Sequence, residues 1–170
     1  VLNAAVNVNL GAADQTSGDS VNVTAFQNID ASALDVAHPV TLVGSSGANV
    51  ITGGAGAATI AGAGGADVIA AGAGGDLVTY RGVETSIDGG SGSDTLTLAA
   101  SGGVTAVDFS VAGGLDQTTG DSVAVANFEN LDAGAVATGL SVVGSSGANT
   151  ITTGSGADAI DGGGGADAIN

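Results

Sequence analysis

One aliphatic residue recurs every nine positions between Gly44 and Thr97, and the residues around it are small or polar. In most of these nine-residue units Gly or another small residue fills the first five places, and Asp or Asn tends to fill the sixth. The aliphatic residue always stands eighth, as Ile51, Ile60, Ile69, Val78, Ile87 and Leu96. The same pattern resumes at Gly144 and runs to Asn170, with Ile151, Ile160 and Ile169 in the eighth place.

This period predicts short strands joined by tight turns. Six small residues form a turn, because Gly adopts positive φ without a steric penalty. The remaining three residues form a strand whose middle side chain points inward, since side chains alternate across a strand. Two units then make one eighteen-residue coil, and coils stack as parallel strands about 4.8 Å apart. The chain is therefore predicted to be all-β, a parallel solenoid of the β-roll or β-helix type.

The sixth places are the candidate metal ligands. Turns on the same side of the solenoid are eighteen residues apart, so their side chains should stack. The predicted stacked pairs are Asn49 with Asp67, Asp76 with Asp94, and Asn149 with Asp167. Stacked carboxylates repel one another unless a cation lies between them, and carboxylate and carbonyl oxygens suit calcium better than magnesium. Asp158 completes the predicted ligand set, and we expect it to need a partner turn beyond residue 170.

The units resemble the Gly-Gly-x-Gly-x-Asp-x-aliphatic-x repeats of the RTX (repeats-in-toxin) family. Residues Gly89 to Thr97 match that pattern in full. Other units depart from it, because Ala58 and Thr85 occupy the acidic place and Asn49 and Asn149 carry no charge. The resemblance implies a parallel β-roll that folds on binding calcium, in a protein exported from a bacterium by type I secretion.

A longer repeat of about 100 residues divides the chain into two modules. The segment Asp14 to Val21 returns as Asp116 to Val123, and Phe26 to Asp30 returns as Phe128 to Asp132. We expect irregular β-helical segments at 1–43 and 98–143 and RTX β-rolls at 44–97 and 144–170. Predicted core residues of the first irregular segment are Phe26, Ile29 and Leu34. Asp14, Asp19, Asp116 and Asp121 are predicted to be exposed turn residues, with a further calcium site as the alternative.

Composition excludes several function classes. The net charge is −16 with a single Arg or Lys, so nothing neutralises the phosphates of a nucleic acid. Anionic membranes are equally disfavoured, and no stretch is long and apolar enough for direct membrane insertion. The chain has one His, His38, which we expect in a solvent-facing loop, and no Cys. Without Cys, Lys or a second His, no usual nucleophile and base can be paired, and we expect no enzymatic activity.

The two-module pattern also resembles bacterial S-layer proteins and giant RTX adhesins. That resemblance implies a calcium-dependent structural protein of the cell exterior whose copies assemble into an S-layer lattice or a filament. Asn170 closes a unit with no cap after it, which predicts a longer chain or end-on stacking with another copy. The alternatives are a calcium-stiffened stalk of an adhesin and the RTX export domain of a type I secreted protease or lipase. The expected partners are therefore calcium and other copies of the chain.

Overall fold

A computed structural model describes residues 6–13, 15–17, 25–36, 38–99, 102–111 and 114–170, and these residues are all-β. The strands are β1 (Val6–Asn9), β2 (Thr16–Ser17), β3 (Ile29–Asp30), β4 (Val40–Val43), β5 (Val50–Thr52), β6 (Ala58–Ala61), β7 (Val68–Ala70), β8 (Ala73–Gly74), β9 (Leu77–Tyr80), β10 (Ser86–Asp88), β11 (Ser91–Gly92), β12 (Thr95–Leu98), β13 (Ala106–Asp108), β14 (Thr118–Thr119), β15 (Ala124–Ala126), β16 (Asn130–Asp132), β17 (Ser141–Val143), β18 (Thr150–Thr152), β19 (Ala159–Asp161) and β20 (Ala168–Ile169). The predicted parallel solenoid is confirmed.

Two parallel stacks of strands form the walls of the solenoid. A nine-stranded sheet has the order β2-β1-β4-β6-β9-β12-β16-β18-β20, and a five-stranded sheet has the order β15-β10-β7-β5-β3. All neighbours in these sheets are parallel except β1 and β2. The turns contribute a small parallel pair, β8 with β11. From β3 to β12, leaving aside the short turn strands β8 and β11, successive strands alternate between these two sheets, as an eighteen-residue coil requires.

The eighth-place residues form two inward ladders with the predicted register. Leu96 pairs with Val78 across the nine-stranded sheet, and Ile87 pairs with Ile69 across the five-stranded sheet. These side chains are at most 1% exposed, because each points between the walls. The ladders supply a thin aliphatic core, which suits a chain with only 2% aromatic residues. Ile169, on the last strand of its sheet, is 49% exposed.

The second module is shifted by half a coil relative to the first. Ile51 lies in the five-stranded sheet, but its counterpart Ile151 lies in the nine-stranded sheet. Conversely, Leu42 lies in the nine-stranded sheet, while its counterpart Val142 lies in a separate sheet of order β14-β13-β17-β19. The shift arises after β12. This strand pairs with β16, the counterpart of β3, and not with β17, the counterpart of β4. Equivalent strands of the two modules therefore lie in different sheets.

A buried glutamine fastens the irregular segment of each module. The Gln117 side chain donates to the Phe128 carbonyl at 3.0 Å and accepts from the Phe128 backbone N–H at 2.8 Å. Gln15 makes the same two contacts with Phe26, at 3.0 and 2.8 Å. Both glutamines are at most 5% exposed, and these contacts satisfy their amides where water is absent. The sequence repeat contained this Gln, but its role was not predicted.

The prediction that Phe26 is a core residue is wrong. Its side chain is 60% exposed, whereas its counterpart Phe128 is fully buried. The difference follows from position: β16, next to Phe128, is packed between β12 and β18, but β3, next to Phe26, pairs only with β5. Ile29 is buried, and Leu34 is partly buried against the core, as predicted.

The polar segment of the second module is not wholly exposed. Asp116 is exposed, as predicted, but Asp121 is half-buried and accepts a hydrogen bond from the hydroxyl of the buried Tyr80. Asp14 and Asp19, their counterparts, lie outside the described residues.

His38 is also half-buried, and its Nδ1 lies 2.5 Å from Oδ1 of Asp35.

Candidate metal centre

The turns of the first module form two rows, one on each side of the solenoid. The first turn row has Asn49, Asp67 and Thr85 in the sixth place, and the second turn row has Ala58, Asp76 and Asp94. Neighbours within a row are eighteen residues apart in sequence. The predicted stacking of sixth-place residues on one side is therefore present.

Each sixth-place Asp of the first module reaches back to the coil before it. Oδ1 of Asp67 accepts the backbone N–H of Asn49 at 2.8 Å. In the second turn row, Oδ1 of Asp76 accepts the N–H of Ala58 at 2.7 Å, and Oδ1 of Asp94 accepts the N–H of Asp76 at 2.8 Å. Because the contact needs only a backbone N–H on the earlier coil, it persists where Ala58 replaces the acid.

The second carboxylate oxygen of each of these acids is the strongest structural sign of a cation site. Oδ2 of Asp67, Asp76 and Asp94 is buried and has no hydrogen-bond partner among the described residues. The three side chains are at most 2% exposed, so water does not compensate them. A buried charged oxygen without a partner is costly, typically by about 1–3 kcal/mol or more. A hard divalent cation removes that cost, and carboxylate oxygens are the ligands that calcium prefers.

In the turns that begin with Gly, the absence of a Cβ makes room for the sixth-place side chain. A Cβ on Gly62 would come within 2.1 Å of Oδ2 of Asp67 in the same turn. A Cβ on Gly44 would come within 2.6 Å of Oδ1 of Asn49 and 2.3 Å of the Gly62 carbonyl oxygen of the next coil. The first-place glycines therefore let carbonyl and side-chain oxygens crowd together, and this donor set fits calcium.

Burial disfavours the charged form of the three acids. It raises the pKa of Asp67 and of Asp76 above the ordinary value, although each also accepts a backbone hydrogen bond that opposes the shift. Burial raises the pKa of Asp94 to about 6, and the nearby charges of Asp76, Glu129 and Asp88 add to the rise. The carboxylates are thus held in a position where a bound cation would restore their charged form.

The second block of nine-residue units, residues 144–170, repeats the arrangement with greater exposure. Oδ1 of Asp167 accepts the N–H of Asn149 at 3.0 Å, which matches the predicted pair. Oδ1 of Asp158 accepts the N–H of Leu140 at 2.9 Å. Asp158 therefore has its backbone partner on the coil before it, and the expectation that its partner turn lies beyond residue 170 misses this contact. Both acids are half-buried rather than buried.

One acid of the first turn row was missed by sequence reasoning. Glu84 stands fifth in its unit, next to Thr85 in the acidic place, and is 4% exposed. Its carboxylate accepts backbone N–H groups of Arg81, Gly82 and Val83 at 2.9–3.2 Å. Its charge contributes to the raised pKa of Asp67. The nine-residue pattern carries no signal for it, since the fifth place is otherwise small.

The ligand set around any one ion must include backbone oxygens. Among the described residues, no three His, Cys, Asp or Glu side chains form a group that could hold a metal ion. Two stacked carboxylates and the carbonyl oxygens of the turns between them are what this fold provides.

No helix in the described part of the chain could cross a membrane.

The geometry defines a parallel β-solenoid with buried, stacked carboxylates in its turns. A comparison with family models matches residues 43–78, 86–100 and 141–170 to the RTX calcium-binding nonapeptide repeat, in 4 copies. These segments are therefore RTX repeats, and the ion they bind is calcium. Neither the curated proteins nor the solved structures gave a match. RTX repeats are typical of secreted proteins.

We expect the calcium-free protein to be more ordered in mild acid than at neutral pH. A carboxyl with a higher pKa in the folded chain than in the unfolded chain stabilises the fold at low pH. That contribution is lost as the pH rises from the ordinary value of 3.8 through about 6, the pKa of Asp94. Circular dichroism of calcium-stripped protein between about pH 4.5 and 7.5 measures the effect.

The control for this pH dependence is the variant Asp94→Asn, which cannot titrate at this position. Its β-sheet signal should depend less on pH than that of the parent chain. A β-sheet signal that stays flat or rises with pH in the calcium-stripped parent would contradict the assignment of raised pKa values to these acids.

Proposed function

We propose that this protein is a non-enzymatic structural component of the bacterial cell exterior, ordered by calcium, whose copies assemble into a lattice or a filament. The observation that supports assembly is the junction between the two modules. There β16 of the second module pairs in parallel with β12 of the first, and Leu131 continues the ladder of Leu96. One module thus stacks end-on upon a copy of its own design within a single chain.

The same contact between chains would extend the solenoid without any new type of interaction. A parallel β-solenoid grows in one direction by adding coils, and each coil contacts only its neighbours. Calcium suits this role because the acid-rich chain, with a net charge of −16, repels itself and other copies until divalent ions reduce its charge. Assembly is therefore expected only where calcium is abundant, outside the cell.

A calcium titration with multi-angle light scattering tests the proposal. With assembly, the measured mass should rise with calcium to multiples of the 15.6 kDa chain and return to that of one chain when EGTA is added. Magnesium at the same concentration serves as the control for screening of charge. A chain that folds with calcium yet stays monomeric at all protein concentrations would overturn assembly and favour the stalk of an adhesin.

A further inference from the structure

Glu129 continues the second turn row beyond the first RTX block. Oε2 of Glu129 accepts the backbone N–H of Asp94 at 2.9 Å. This is the contact that Asp94 itself makes with Asp76, and Asp76 with Ala58, one coil earlier in each case. Glu129 lies 35 residues after Asp94 and outside the segments that match the RTX repeat. The chain thus places an acid in a sixth-place position without a nonapeptide.

The backbone around Glu129 also stacks on Asp94 as the next turn of the second turn row. The N–H of Asn130 donates to the Asp94 carbonyl at 2.9 Å. On the other side, the Glu129 carbonyl accepts the side-chain amide of Asn149 at 2.6 Å. Asn149 is the first sixth-place residue of the second RTX block and stacks on Asp167. Glu129 therefore lies between the last acid of the first block and the first turn of the second.

The bend that carries Glu129 is a shortened form of an RTX turn. In the RTX turns, the first-place Gly lies against a first-place carbonyl of the next coil: a Cβ on Gly44 would come within 2.3 Å of the Gly62 oxygen. A Cβ on Gly89 would come within 2.2 Å of the Asn127 carbonyl oxygen. Asn127 thus takes the first place and Glu129 the sixth. Asn127 has a φ of 59°, in the left-handed region that such a tight bend requires.

A second observation points to a ligand at this position. Asp94 is fully buried, and its Oδ2 has no hydrogen-bond partner among the described residues. The Glu129 carboxylate, which accepts the N–H of Asp94, places a second negative charge next to this residue. A buried and a half-buried carboxylate on adjacent turns repel one another unless a cation lies between them. Because Glu129 is half-buried, an ion can enter from the solvent side.

The first module provides a natural comparison. Gln27 is the counterpart of Glu129, and its carbonyl accepts the side-chain amide of Asn49 at 2.5 Å, as the Glu129 carbonyl does with Asn149. The Gln27 side chain instead donates to the Ala25 carbonyl at 2.8 Å. Because β3 is the last strand of its sheet, no turn with an acid stacks before Gln27 among the described residues. The same position of the module is therefore Glu where an acid turn stacks before it and Gln where none does.

We propose that Asp94 and Glu129 hold a calcium ion at the junction between the two modules, with the Asn127 carbonyl among the backbone oxygens available to complete its ligand set. This ion joins the last coil of the first RTX block to the first coil of the second module. Folding of the second block is thereby coupled to calcium binding at the end of the first. The inference does not depend on assembly of copies, because both ligands belong to one chain.

The variant Glu129→Gln tests this site in the full chain. It keeps an oxygen that can accept the Asp94 N–H but removes the charge, and it reproduces the residue of the first module. Calorimetric titration with calcium should show one fewer ion bound, or one site weakened by about tenfold or more. Hydrogen exchange should show that amides of 150–169 need more calcium for protection, while those of 50–70 do not.

Two further variants separate a ligand from a merely structural residue. Asp132→Ala removes an exposed carboxylate whose backbone contact is with Gly134, and its calcium stoichiometry should equal that of the parent chain. Glu129→Ala removes both the charge and the hydrogen bond, and should lose the same ion as Glu129→Gln. An unchanged ion count and unchanged site affinities in both Glu129 variants would overturn the proposal, even if the alanine variant were less stable.

Discussion

Removal of calcium at neutral pH should abolish most of the β-sheet structure of this protein. Three acids would then remain buried with an uncompensated oxygen each, Asp67, Asp76 and Asp94. Each such oxygen costs about 1–3 kcal/mol or more, and a domain is stable by only about 5–15 kcal/mol in total. The thin aliphatic ladders cannot offset that cost together with the conformational entropy of 32 glycines. Far-ultraviolet circular dichroism before and after EGTA measures the loss.

Readdition of calcium should restore the β-sheet signal, whereas magnesium at the same concentration should not. Magnesium requires a near-ideal octahedron and keeps several waters, which a turn of carboxylates and carbonyls does not accommodate. A chain that keeps its full β-sheet signal in EGTA at neutral pH would show that the fold does not need the ion.

Asp76→Ala should raise the calcium concentration needed for folding by about tenfold or more. The substitution removes a buried ligand candidate from the middle of the second turn row and leaves the N–H of Ala58 without its acceptor. Loss of outer-shell partners alone weakens metal sites by about 10–100-fold, and loss of a direct ligand should cost no less. The midpoint of a calcium titration followed by circular dichroism reports the change.

Two companions of Asp76→Ala show which property of the side chain matters. Asp132→Ala removes the same charge from an exposed position, so its midpoint should stay within about twofold of the parent chain. Asp76→Asn keeps the oxygen that accepts the Ala58 N–H but has no charge, and its midpoint should rise as well. If Asp76→Asn folds at the parent calcium concentration while Asp76→Ala does not, the role of Asp76 is to accept the Ala58 N–H and not to bind the metal.

The register of the solenoid could be predicted because the RTX blocks repeat without a slip. An aliphatic residue every nine positions leaves one way to stack the coils, so pairs such as Ile69 with Ile87 follow from the spacing alone. The same arithmetic placed Asp76 next to Asp94 in the second turn row. Local composition and long-range pairing agree in these segments, and the prediction holds there.

The junction could not be predicted because residues 98–143 lack the period. Without a repeat, the sequence of this segment does not show how many coils it forms. The half-coil shift that pairs Leu131 with Leu96 was therefore not predicted. Glu129 was missed for the same reason, because it reaches its position through an irregular backbone. Glu84 was missed because it stands fifth rather than sixth in its nine-residue unit. The buried amide of Gln117 belongs to this group, since its contact with Phe128 depends on tertiary packing.

The half-coil shift also determines where outward side chains recur. Val50 and Val68 are neighbours in register on the outer surface of the five-stranded wall and are 48% and 39% exposed. Their counterparts Thr150 and Ala168 are also neighbours, but on the outer surface of the nine-stranded wall. In a longer series of such modules, an outward side chain that binds a partner would lie on one wall in one module and on the opposite wall in the next. Such a rod could bind neighbours along both flanks, and the spacing of contacts on one flank would be two modules.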